Sequence, residues 1–116
     1  MSGVTAGQSE AHERRNIMIK HIIIWKLKEM PAEEKAEKVK LIKENLEGLA
    51  GKIPGMTEIR VNIADIDTSN ADAMLDTTFV DEEALHAYHK NPDHNAVANT
   101  YIRPFIETRL CVDYEI

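Results

Sequence analysis

His94 follows an Asn-Pro-Asp turn in the stretch HKNPDHNAV, residues 89–97. Imidazole is the side chain best suited to exchange a proton near neutral pH. With Asp93 as the N-cap of a short helix, His94 falls in the first turn, where the helix dipole disfavours the imidazolium and the adjacent carboxylate favours it. A near-balance of these effects predicts a base able to take a proton near neutral pH, as aldol or enolisation chemistry requires. A structural reading fits the same position, with the ring held against Asn91 or a main-chain carbonyl to fix the turn.

Other constellations say less. His86 and His89 are spaced to share a helix face and to grip a metal, but an exposed polar face explains them equally, and no metal site is expected. Asp65 to Asp76, DIDTSNADAMLD, has the look of a calcium loop but carries Asn70 for the turn glycine and Asp76 for the final glutamate, so it reads as a solvated loop. Arg109 and Cys111 share one face of the last strand; if that face meets a cleft, Arg109 can anchor a carboxylate or enolate. There is no glycine-rich phosphate loop and no serine nucleophile with triad partners, and no cofactor is expected.

The totals narrow the classes further. Acids outnumber bases 20 to 14 in the 116 residues, a net charge of −6 that argues against a nucleic-acid binder. The single Cys111 is expected to exclude an internal disulfide framework and any thiolate zinc site built within one chain, and a reducing, cytoplasmic setting is expected. The longest apolar run, Ile22 to Trp25, is strand-sized, and no membrane segment or membrane partner is expected.

The elements that must position these residues follow from periodicity. Residues 1–17, with His12, lack a sustained pattern and read as a disordered extension or cloning remnant; residues 18–116 form one domain. IKHIIIWKLK puts Ile19, His21, Ile23, Trp25 and Leu27 on one face and Ile22 and Ile24 on the other, a central strand covered on both sides. After Pro31, apolar positions Ala32, Ala36, Val39, Ile42, Leu46, Leu49 and Ile53 mark an amphipathic helix. Strands follow at Ile59 to Ile63 and Ala73 to Val80, then a helix capped by Asp81 and stopped by Pro92, a short helix from Asp93, and a last strand from Phe105. The order strand, helix, strand, strand, helix, strand predicts an α+β, ferredoxin-like fold with a four-stranded antiparallel sheet and helices on one side. Ile22, Ile24, Leu110 and Val112 then remain on the open sheet face, which predicts a homodimer through that face.

KHIIIWKLK (20–28), IPGM (53–56), FVDEEALHAYHKNPDH (79–94) and VDY (112–114), in that order, resemble the stress-responsive A/B barrel domain family, a branch of the dimeric α/β-barrel superfamily. The resemblance covers essentially residues 18–116 and implies two sheets packed face to face across a dimer. The family includes plant stress proteins, small bacterial proteins, and a plant polyketide cyclase that closes an aromatic ring by aldol condensation. In that cyclase a tyrosine and a histidine six residues later carry the acid/base work, and Tyr88 and His94 match them; His21 matches a further pocket histidine. Ala73 replaces another pocket histidine, and the first helix lacks the cyclase's tyrosine, so a different ligand is implied.

The resemblance thus implies a cleft between sheet and helices lined by Ile23, Trp25, Leu75, Phe79, Val97 and Arg109, with Trp25 reshaping it. Three functions fit: a dimeric protein binding a small apolar or aromatic metabolite; a cofactor-independent cyclase, aldol-type lyase or oxygenase using His94, Tyr88 and His21; or a structural stress protein. A cavity touching His21, Tyr88 and His94 would favour the first two, whereas Trp25, Leu75 and Phe79 filling that space would favour the third.

Overall fold

The computed structural model describes residues 17–116; the expected extension lies outside the described residues up to position 16. The chain runs through β1 (Ile19–Leu27), α1 (Ala32–Glu47), β2 (Met56–Ile63), β3 (Ala73–Phe79), α2 (Glu82–Lys90), α3 (Pro92–Val97) and β4 (Ile106–Glu115). The strands pair antiparallel in the order β2-β3-β1-β4, the ferredoxin-like arrangement the periodicity predicts. No helix among the described residues is long and apolar enough to cross a membrane.

The central place of β1 follows from its two apolar faces. Ile19, His21, Ile23, Trp25 and Leu27 are all buried under the helices, while Ile22 and Ile24 are half-buried on the other side. Across the sheet, Val61, Leu75, Ile23 and Cys111 stand in one row. The first three are buried and Cys111 is exposed, so the helical layer covers β2, β3 and β1 but stops short of β4.

Helix α1 opens at Pro31 without a side-chain cap, with Glu33 and Glu34 facing the positive end of the dipole. Its stripe is buried only from Val39 onward, through Ile42 and Leu46; Ala32 and Ala36, expected on that stripe, are exposed. At its other end Glu47 accepts from Val61 N–H at 2.9 Å and Lys43 Nζ donates to the Val61 carbonyl at 2.7 Å. Those two side chains occupy the outward backbone groups of an edge strand, which blocks further pairing there.

Gly55, at φ +81°, brings the turn before β2 against α2; a Cβ there would lie 2.5 Å from Ala84 Cβ. Asp81 caps α2 as expected, accepting from Ala84 N–H at 2.8 Å. Asp93 does not cap α3. Asn91 does, its Oδ1 accepting from the N–H groups of Asp93 and His94 at 2.8 and 3.1 Å. The reason is Pro92, whose fixed φ and missing N–H suit the first helical position, so the cap falls on the residue before it, two positions ahead of Asp93. α3 then widens into a π turn at Ala98–Ile102 and tightens to a 3-10 turn at Arg103–Phe105.

The open sheet face is divided. Leu110, Val112 and Tyr114 are 59%, 55% and 47% exposed and lie across from Ile24, Ile22 and Lys20. Beside this apolar strip Lys20 Nζ pairs with Asp76 at 2.7 Å and Glu58 at 3.3 Å.

Candidate functional site

A cavity of about 350 Å³ lies between the sheet and the helical layer. Its floor is β1 and β3, through His21, Ile23, Trp25 and Leu75; its roof is Tyr88 and His89 of α2, His94 of α3, and Ala98 and Ile102 of the π turn. Arg103, Glu107 and Arg109 stand where the layer stops short of β4, with Leu46 and Ile106 completing the apolar wall. His21, Tyr88 and His94 therefore meet in one cavity, and Ile23, Trp25, Leu75 and Arg109 line it as expected. Phe79 and Val97 do not line it. Phe79 is sealed in the core with its ring 5.1 Å from that of Tyr88, and the π turn presents Ala98 where Val97 was expected.

Tyr88 and His94 stack with ring centroids 3.9 Å apart and planes tilted by 38°. Pro92 folds the chain back after α2 and so lays one ring upon the other. Tyr88 is fully buried, yet neither its hydroxyl nor His94 Nδ1 has a hydrogen-bond partner among the described residues. Burial raises the Tyr88 phenol above its ordinary range, Arg109 opposing, so it keeps its proton.

Burial, reinforced by the charges of His89, Arg103, His21 and Arg109, pushes His94 down to about 4. This corrects the expected near-balance between dipole and Asp93. The Asp93 carboxylate stands exposed on the second residue of α3, while the imidazole turns inward among cations. At neutral pH the site offers a neutral imidazole beside a protonated phenol: one firm donor, and one nitrogen whose role depends on its tautomer.

His21 is placed differently. It lies directly across from Asp113 in the β1/β4 register, and its Nδ1 is 2.5 Å from Asp113 Oδ1. Cys111 Sγ lies 3.8 Å from the same nitrogen. Burial, and then Asp113, push the Cys111 thiol up. His89 closes the group from α2, its ring 5.3 Å from that of His21; burial, and then the charge of His21, lower it.

The spacing of His86 and His89 along one helix does not make a shared site. His86 points outward to Glu82 at 3.2 Å, while His89 lines the cavity. In the Asp65 to Asp76 loop, Asp72 accepts from Leu27 N–H at 2.7 Å and Asp76 pairs with Lys20, so both acids have structural partners. Sequence reasoning placed His89 only on a helix face with His86 and not in the cavity, and it missed Arg103 and Asp113. Asp113 becomes visible only through strand register, and Arg103 only through the widened turn that precedes it.

The sequence pattern of the Stress responsive A/B Barrel Domain family matches residues 19–116. Among solved structures, a dimeric ferredoxin-like protein of unknown function from Bacteroides fragilis superposes with a TM-score of 0.80 at 31% identity, over 85% of this chain and 96% of that one. A dimeric ferredoxin-like protein of unknown function from Thermobifida fusca gives 0.71 at 23% identity, over 87% and 92%. The hydroxynitrile lyase of Passiflora edulis gives 0.64 at 15% identity, over 85% and 93%. No curated protein matches by sequence. The family pattern spans all four strands and every helix around the cavity, and the chain belongs to the stress responsive A/B barrel domain family.

Proposed function

We propose that the protein is a cytoplasmic homodimer that binds a small apolar or aromatic metabolite bearing a carbonyl or hydroxyl oxygen. The observation that carries this reading is the pair of buried atoms without a partner among the described residues, Tyr88 Oη and His94 Nδ1, in a cavity whose apolar walls include Ile23, Trp25, Leu75 and Ile102. Buried polar groups are nearly always satisfied, and each left alone costs on the order of 1–3 kcal/mol. A ligand oxygen that accepts from the Tyr88 hydroxyl and contacts His94 would remove that cost. The volume is in the range of small-ligand sites, and Trp25 and Leu75 leave it open rather than filling it as a purely structural protein would.

Dimerisation through the open face would cover Ile22, Ile24, Leu110 and Val112, in keeping with the dimeric relatives. Val112→Asp would then release monomers in sedimentation velocity. The ligand reading is tested with a panel of phenols, aryl ketones and aliphatic alcohols, monitored by calorimetry. Binders should lose roughly tenfold in affinity in Tyr88→Phe, the worth of one hydrogen bond. Equal affinity for wild type and Tyr88→Phe across all binders would sink the proposal.

A second reading, a cofactor-independent lyase or cyclase, is favoured by the stacking of His94 on Tyr88. The phenol could hold an oxygen as negative charge develops on it, and neutral His94 could take a proton from the neighbouring carbon. His21, held by Asp113, would orient the ligand. A base with a pKa of about 4 is weak, which places binding ahead of catalysis in this proposal. Turnover that rises with pH through about 4, then stays level, and vanishes in His94→Ala would reverse that ranking.

A further inference from the structure

The antiparallel register of β1 and β4 gathers three different metal-ligating atoms at the wall of the cavity. Cys111 and Asp113 alternate onto the helix-facing side of β4, His21 stands opposite Asp113 on β1, and their donor atoms all lie within 4.8 Å of one another. The expectation that one cysteine excludes a thiolate zinc site within one chain holds for a multi-thiolate centre, but a mixed nitrogen, sulfur and oxygen set needs only one thiolate. We propose that His21 Nδ1, Cys111 Sγ and an Asp113 carboxylate oxygen form a binding site for a borderline-soft divalent cation, of which Zn²⁺ is the best match.

The spacing argues for it. Tetrahedral zinc, bonded at about 2.3 Å to sulfur and about 2.0 Å to nitrogen or oxygen, holds its sulfur about 3.5 Å from the other donors and its N···O pair about 3.3 Å apart. The sulfur lies 3.8 Å from His21 Nδ1 and 3.5 Å from Asp113 Oδ1, already close to that geometry. The N···O pair, at 2.5 Å, is drawn in by a hydrogen bond and must open by under about 1 Å when an ion replaces the proton between them. The parts that must move and the part that must not are suitably divided. The Asp113 side chain is 41% exposed and can swing; that of His21 is 2% exposed and fixed. The His21 carbonyl accepts from Thr77 Oγ1 at 2.7 Å, and its ring packs edge-on against Tyr88 and Phe79.

Charge and softness choose the ion. A thiolate and a carboxylate offset the two positive charges of the ion, which the nearby Arg109 guanidinium would otherwise repel. The thiolate favours zinc over magnesium or calcium, which take oxygen donors. Three protein ligands leave the fourth position open, as in catalytic rather than structural zinc sites. His21 lines the cavity while Cys111 and Asp113 do not, so the ion would sit in the cavity wall with His89 the nearest further imidazole. The site stands independently of any organic ligand.

The test uses the full chain stripped of metal, titrated with Zn²⁺ against a chromophoric chelator and with Co²⁺ by absorption. One ion per chain is expected, with the near-ultraviolet thiolate-to-cobalt charge-transfer band. Cys111→Ser and Asp113→Asn, both on an exposed strand, should each weaken Zn²⁺ at least roughly tenfold, and Cys111→Ser should also abolish the band. His86→Gln should leave both unchanged. Failure of the folded wild type to compete for Zn²⁺, unchanged affinity in Cys111→Ser, or a cobalt complex without the thiolate band would each overturn the proposal.

Discussion

Two groups of polar side chains flank the same cavity and are treated oppositely by the fold. At the α2–α3 junction Tyr88 is buried and His94 half-buried, with a buried oxygen and a buried nitrogen left unpartnered among the described residues. On β1 and β4, His21, Asp113 and Cys111 lie within hydrogen-bonding reach of one another, although two of them are exposed. The first group lowers stability in the empty protein and the second does not. Unsatisfied atoms persist in a native core when something outside the chain completes them, so the contrast separates a pair that needs a ligand's hydrogen bonds from a trio whose donor atoms satisfy one another until an ion opens them.

The largest expected effect tests whether the first group truly belongs to the cavity rather than the packed core. Phe79→Ala, beside Tyr88 but sealed, should destabilise the protein by about 3–5 kcal/mol in denaturant unfolding, as large-to-small core changes do. Tyr88→Phe should instead raise stability by on the order of 1 kcal/mol, because it removes an unpaired hydroxyl and keeps the ring. A destabilised Tyr88→Phe would erase the contrast.

Gly55→Ala probes the support of α2. The residue has positive φ and no room before Ala84, so a loss of about 1–3 kcal/mol is expected from thermal melts.

The second group should respond more modestly. Asp113→Asn leaves His21 without its carboxylate and should cost about 1 kcal/mol.

Acid provides a further separation. His94 titrates near 4 in the folded chain and near about 6.5 when unfolded, so the unfolded state binds more protons between those values. Stability therefore falls as pH drops from about 6.5 toward 4, and the loss is complete below the folded value. His94→Gln should flatten this part of the pH profile. The smallest change should come from His86→Ala, whose exposed pairing with Glu82 is worth under about 0.5 kcal/mol.

Much of this was legible in the chain. The two-sided apolar run at Ile22 to Trp25, the capping Asp81 and the Pro92 break place β1, α2 and the junction nearly where they occur. The α3 cap was misplaced by two residues because Asp93 and Asn91 are both good caps, and only the demand of Pro92 for the first helical position decides between them. Phe79 and Val97, which the resemblance implies in the cleft, do not line the cavity, and alternation and helical period could not have corrected this because they give a face, not a depth. Whether a residue on that face reaches a void or its neighbour depends on how far the helical layer extends.

The ferredoxin-like order of elements was already set in the sequence, because strand alternation, helix period and proline geometry are local properties, while a common cleft for His21, Tyr88 and His94 was implied only by the family resemblance. Tertiary structure alone decided that the helices stop short of β4, that His94 lies among cations rather than beside a carboxylate, and that Asp113 meets His21. Strand register and layer coverage join residues up to 92 positions apart, and no local preference encodes which atoms such distant segments bring within bonding distance.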